Sequence, residues 1–115
     1  MDLKKYVIKL KKQPNFKDHV YNQIKLKIVG EIDKDVCTNW SGYTEKHKRY
    51  SQACHIVYFK SGRRHYLNPQ KYIYNYLNYP ELTYSELINS KNRVRNIDNC
   101  KNRGLCCCLS HIETY

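Results

Sequence analysis

The residues best placed to do chemistry lie near the C-terminal end of the chain, in the run CKNRGLCCCLSH, which puts Cys100, Cys106, Cys107, Cys108 and His111 within twelve positions. Thiolates and an imidazole are the donors that a borderline-soft ion such as Zn²⁺ prefers, and four of them must meet in a tetrahedron at about 2.0–2.3 Å from the metal. A knuckle of this length can supply three. The fourth has to come from a distance, and Cys37 and Cys54 are the two remaining cysteines. Cys107 and Cys108 compete inside the knuckle, yet consecutive side chains diverge, so at least one of the three adjacent cysteines is expected to pack as a small buried hydrophobe. The plain alternative is a set of buried free thiols with no metal.

Which of these applies depends on the redox setting. The opening MDLKKYVIKLKK has neither an apolar core of signal-peptide length nor a small-residue cleavage site. The expected location is therefore a reducing, intracellular compartment, the cytoplasm or nucleus of a host or a virion, where clustered Cys and His favour a metal site over disulfides. No run of about eighteen apolar residues exists to cross a membrane. Lys and Arg number 21 against 10 Asp and Glu, giving +11 on 115 residues. A charge of that size attracts polyanions over about a Debye length, and nucleic acid is the expected partner. Drift toward Lys, Asn, Ile and Tyr in an AT-rich genome would supply the same charge without a site, and it points to a large DNA virus or a parasite as the source. Twelve tyrosines against two phenylalanines and one tryptophan put much of the apolar surface on rings that keep one end wet. The core of so short a chain is expected to be thin.

Several elements must position the knuckle. Apolar groups at Val20, Ile24, Ile28 and Val29 suit one helical face, although Ile24, Leu26 and Ile28 also alternate with lysines as a strand would. Gly30 closes either. In ACHIVYFKSGRRHYL, Ser61-Gly62 divides two β-prone runs, 55–60 and 63–67, as a tight hairpin turn does, with His55 and His65 opposite one another. Lys60, Arg63, Arg64 and His65 cluster at its tip, and a basic two-stranded ribbon fits a DNA major groove. The plain alternative is a solvated hairpin end. Asn68-Pro69 opens a short helix, QKYIYNYLN, with Ile73 and Leu77 one turn apart, and Pro80 stops it. TYSELINS is a second short helix, with Thr83 and Glu86 at capping-box spacing. NRVRNID reads as a strand in which Arg93 and Arg95 point one way and Val94 and Ile97 supply apolar contacts.

Taken together, Cys37-Thr-Asn-Trp40-Ser-Gly42-Tyr43, the basic hairpin, QKYIYNYLN, and Cys100 through Cys106 to His111-Ile112 resemble the HNH or His-Me finger endonucleases, in particular the zinc-stapled homing endonucleases of the His-Cys box type. The resemblance covers about residues 37–113. It implies an α+β fold, small and zinc-stapled, with a basic β-hairpin and short helices, and one structural Zn²⁺ on Cys37, Cys100, Cys106 and His111. Residues 1–36 fall outside it as a basic segment, either a packed element or an arm, ahead of the domain at 37–115.

The resemblance also argues against catalysis. Family members place a general-base His two residues before the first knuckle Cys, where a water must be deprotonated; this chain has Asp98. Their Asn-Pro inside the knuckle is Cys108-Leu109 here, and the helix that donates a catalytic metal ligand would lie beyond Tyr115. The expectation is thus a catalytically inactive relative that binds nucleic acid, duplex DNA ahead of RNA, through Lys60, Arg63, Arg64, His65, Arg93 and Arg95, mainly at phosphates. The alternatives are a protein-interaction module using a tyrosine-rich surface, with a protein partner or as a homodimer, and a residual metal-dependent nuclease that uses Asp98, His55 or His65.

Overall fold

The computed structural model describes residues 16–46, 53–60 and 63–115, with the side chains of 56–60 and 63–66 outside that description. Residues 1–15 and 47–52 lie outside it, as does Ser61-Gly62, where the hairpin turn is expected. The described chain is α+β, with three α-helices and four small antiparallel two-stranded sheets.

Helix α1 (Phe16–Leu26) is followed at once by β1 (Ile28–Val29), which pairs with β2 (Asn39–Trp40). The two readings of the 20–29 stretch therefore divide at Lys27. Ile24 points inward on the helix, and Ile28 begins the strand. Gly30 follows at φ +120°, a conformation that a β-carbon disfavours, and a Cβ there would also meet Thr38 Cγ2 at 3.2 Å. Strands β3 (Thr44–Glu45) and β4 (Ala53–Cys54) form the second sheet, and β5 (Ile56–Lys60) with β6 (Arg63–Leu67) the third. The β5–β6 register corrects one expectation. His65 lies opposite Tyr58, while His55 precedes β5 and gives its backbone N–H to the Tyr43 carbonyl at 3.0 Å.

Helix α2 (Pro69–Asn78) starts where its cap requires. The Asn68 side chain accepts from the N–H groups of Gln70 and Lys71, and Pro69 loses nothing at a position whose N–H has no helical partner. Its buried face differs from the expected Ile73–Leu77 stripe. Ile73 is fully buried, but Leu77 is 38 % exposed and Tyr72 takes the inward position. Tyr72 can be buried because its hydroxyl donates to the Lys17 carbonyl at 2.7 Å. Tyr76 stacks on Tyr21 of α1 at 4.2 Å between ring centroids, fastening the two helices.

Helix α3 (Tyr84–Ile88) carries the full capping box. The Glu86 N–H donates to Thr83 Oγ1, and the Thr83 N–H donates to Glu86 Oε1. For so short a helix the cap is a large share of its stability, so Thr83→Ala is expected to destabilise the domain by about 1 kcal/mol, read as a lower urea midpoint with unchanged slope. Strand β7 (Val94–Asn96) pairs with β8 (Ile112–Thr114) across the knuckle, and a short 3₁₀ turn at Leu109–His111 leads into β8. The strand is shorter than NRVRNID suggests, and Arg93 and Ile97 lie just outside it.

One core gathers Ile24, Ile32, Trp40, Cys54, Leu67, Tyr72, Ile73, Leu87 and Cys107, so Ile24 and Ile32 share a core with residues of the 37–115 segment. A second cluster contains Cys100, Cys106 and Cys108 with Cys37 and Ile97 at its edge. Cys107 faces the first and its two neighbours face the second, the divergence expected of adjacent side chains. In the described part, no helix is long and apolar enough to cross a membrane.

Candidate metal centre

Cys37, Cys100, Cys106 and His111 come together from three parts of the chain, with their ligand atoms all within 4.8 Å of one another. Cys37 Sγ is 3.7 Å from Cys100 Sγ and 3.6 Å from His111 Nδ1, and Cys106 Sγ is also 3.6 Å from His111 Nδ1. A regular tetrahedron with the bond lengths of zinc has edges of about 3.8 Å between sulfurs and about 3.6 Å between sulfur and nitrogen. The three short separations match those edges. This group can hold a metal ion, and its donors are the soft and borderline kind.

The hydrogen bonds around the cluster explain why it is already assembled. His111 Nε2 lies 2.9 Å from Asp35 Oδ1, and Ser110 Oγ donates to the same oxygen at 2.9 Å. With the Nε2 proton given to Asp35, Nδ1 keeps its lone pair for a metal, the arrangement by which a carboxylate fixes a ligating histidine. The Ser110 bond, followed by that from His111, holds the Asp35 carboxyl below its usual range. A lowered carboxyl stabilises the fold above its unfolded pKa, and that contribution disappears as pH falls through the folded value. Asp35→Asn is expected to weaken metal affinity about 10–100-fold, measured by competition with a chromophoric chelator.

Cys106 sits at the bottom of the site, fully buried, and accepts from the Thr38 N–H at 3.3 Å. Thr38 Oγ1 accepts from the Cys107 N–H at 2.7 Å, so one threonine braces both the ligand and its neighbour. The knuckle turns on Gly104 at φ +91°, and its backbone is held by Asn96. Asn96 Nδ2 donates to the carbonyls of Cys106 at 3.0 Å and His111 at 3.1 Å, while Oδ1 accepts from the Gly104 N–H at 2.8 Å and from Gln70 Nε2 at 2.7 Å. Gln70 Nε2 also reaches the Cys106 carbonyl at 2.8 Å, tying α2 to the knuckle. Asn102 Nδ2 bridges to the Thr38 carbonyl at 2.8 Å on the opposite side.

The thiols differ in their proton affinity. The Lys101 backbone N–H draws the Cys37 thiol below its usual value, whereas burial pushes Cys100 up to about 12. Without a cation the buried thiol keeps its proton, and a metal must displace it.

The competing cysteines are accounted for elsewhere. Cys54 and Cys107 lie in the apolar core, where their mutual hydrogen bond and burial raise the Cys107 thiol well above its usual value. Cys108 Sγ donates to the Lys34 carbonyl at 2.8 Å. Sequence reasoning passes over Asp35, Asn96, Gln70 and Thr38. Only Asp35, two residues before Cys37, carries a local hint.

The other proposed site residues are not brought to this centre. Lys60, Arg63, Arg64 and His65 occupy β5 and β6, but their side chains lie outside the described residues. Arg93 is exposed. Arg95 instead pairs with Glu113 at 3.0 Å and lies over the Tyr115 ring at 4.9 Å, so its charge is already engaged. Asp98 is turned to solvent with Arg103 Nη2 at 3.5 Å. Among the described residues no second group of three or more His, Cys, Asp or Glu is close enough to hold a metal. Compared with protein-family models, with curated proteins and with solved structures, the chain has no significant match in any of the three.

Proposed function

We propose that this protein is a zinc-stapled, non-catalytic domain that binds nucleic acid, duplex DNA in first place, through the basic β5–β6 hairpin, and that it derives from an endonuclease of the HNH or His-Me finger type. The observation that carries the metal half is the assembled Cys₃His cluster with Asp35 on the far side of its imidazole. Three sulfurs and one nitrogen favour zinc over magnesium or calcium, which take oxygen donors. Four protein ligands leave no open position for water or substrate, the pattern of structural rather than catalytic zinc.

The nucleic-acid half rests on the +11 charge and on the four basic residues of the hairpin sequence. Arg93 remains available to a phosphate, whereas Arg95 would have to leave Glu113 first. Binding of this kind is driven by counterion release and falls steeply with salt. Fluorescence anisotropy against a labelled duplex, at about 50 and 200 mM salt, is expected to show that dependence. The triple variant Lys60→Ala, Arg63→Ala, Arg64→Ala is expected to reduce the logarithmic salt slope by about 1 for each phosphate it no longer neutralises. Absence of binding at the lower salt would refute the nucleic-acid reading. It would favour a protein-interaction module instead, consistent with the half-exposed rings of Tyr43 and Tyr115.

A further inference from the structure

We infer that Cys37 is the reactive thiol of the metal centre, and that a two-electron oxidant of the hydroperoxide class joins it to Cys100 and releases the metal. The inference rests on the zinc reading above and adds a modification site to it. Three features single out this pair. Cys37 is the one cysteine of the six that is not buried, whereas Cys100 and Cys106 are closed off and all three remaining cysteines lie inside the protein. Cys37 stands at the end of an irregular turn, 33–37, with no helix or strand to immobilise it, while Cys106 is held by Thr38 and its carbonyl by Asn96 and Gln70. Cys100 Sγ lies 3.7 Å from Cys37 Sγ, so side-chain rotation that moves the sulfurs by less than 2 Å brings the pair toward the ~2.05 Å of a disulfide.

The chemistry balances with one hydrogen peroxide. The Cys37 sulfur attacks one peroxide oxygen, the O–O bond breaks, and the departing hydroxide takes a proton to become water, leaving a sulfenic acid on Cys37. The Cys100 sulfur then attacks the Cys37 sulfur, forming the S–S bond and expelling a second hydroxide that is protonated to a second water. Two thiolates are oxidised by two electrons, and one peroxide is reduced to two waters. The metal is left with Cys106 and His111 alone, too few donors to retain it, so oxidation at the surface-facing edge of the site would unfasten the staple.

The test uses the full chain purified with its metal. Hydrogen peroxide is titrated in while a chromophoric chelator reports released metal, and tryptic mass spectrometry locates the disulfide. In parallel, N-ethylmaleimide labelling of the untreated protein ranks the six thiols. The expected results are one metal released per peroxide consumed, a Cys37–Cys100 linked peptide pair two hydrogens lighter than the reduced peptides, and Cys37 as the thiol labelled first. Cys54→Ala and Cys108→Ala variants are expected to respond as the parent protein does. A disulfide that includes Cys106 or Cys54, initial labelling at any cysteine other than Cys37, or metal retained after peroxide would overturn the inference while leaving the zinc reading intact. A chain that carries no metal when purified would overturn the zinc reading itself, and this inference with it.

Discussion

Cys106→Ser is expected to empty the metal site and unfold the domain, the largest effect of any single substitution in this protein. Serine is close to cysteine in size, so the change removes a thiolate without opening a cavity. The position is fully buried at the junction of the two clusters, with Cys107 in the apolar core on one side and Cys100 and Cys108 on the other. Structural zinc contributes about 10–16 kcal/mol of apparent binding free energy in zinc-finger peptides, whereas the net stability of a whole domain is about 5–15 kcal/mol. Among the described residues the main core buries nine side chains, and a core of that size does not offset such a loss. Far-UV circular dichroism and metal content of the purified variant provide the check. A folded, metal-bearing Cys106→Ser protein would rule out the staple. The same logic gives a pH dependence. Because burial holds the Cys100 proton up to about 12 in the metal-free site, acid favours the protonated thiol and opposes the metal. Affinity should fall about tenfold per pH unit for each proton the metal displaces, and acidification should release the metal and unfold the domain in one transition.

Asn96→Leu carries the second-largest expected effect, although Asn96 touches no ligand atom. Leucine has similar volume but no polar atoms. It would leave the Gly104 N–H without its partner, take one of two donors from the Cys106 carbonyl, which keeps Gln70 Nε2, and from the His111 carbonyl, which keeps the Ile97 N–H, and leave the Gln70 amide with one acceptor fewer. The unsatisfied Gly104 N–H costs about 1–3 kcal/mol, and each of the three other hydrogen bonds lost about 0.5–1.5 kcal/mol. With some relaxation the total is about 3–6 kcal/mol, comparable with the stability of a marginal domain. The urea midpoint in saturating metal should drop accordingly. Metal affinity should weaken as well, because the two carbonyls that lose a donor belong to ligand residues. If stability fell but metal affinity did not, Asn96 would support the fold without organising the site.

The contrast between these two residues shows what the amino-acid sequence makes legible. Features set by neighbours along the chain are readable. Asn68-Pro69 and Thr83 through Glu86 cap helices because the atoms involved are two or three residues apart. The Cys100–His111 knuckle shows itself by donor type and spacing. Cys37 enters through a resemblance, since a partner 63 residues from Cys100 has no periodic signature. Asp35, Asn96 and Gln70 stay hidden because their roles exist only across the fold: Asp35 meets a histidine 76 residues away, and Asn96 meets an amide 26 residues earlier. The inward face of α2 misleads for a different reason. Hydropathy ranks leucine above tyrosine, yet Tyr72 finds an acceptor at Lys17 and becomes buried while Leu77 stays partly in water. Arg95 resembles a phosphate ligand because the cross-strand neighbour Glu113 is invisible until the β7–β8 register is known.

The most direct test of the central claim is native mass spectrometry, with elemental analysis, of protein purified without added metal, alongside Cys37→Ser and Cys54→Ala. One zinc per chain is expected, lost in Cys37→Ser and retained in Cys54→Ala, since Cys54 lies in the apolar core with Cys107 and outside the Cys37, Cys100, Cys106 and His111 group. A chain with no bound zinc, or one that loses zinc only when Cys54 is replaced, would contradict that claim.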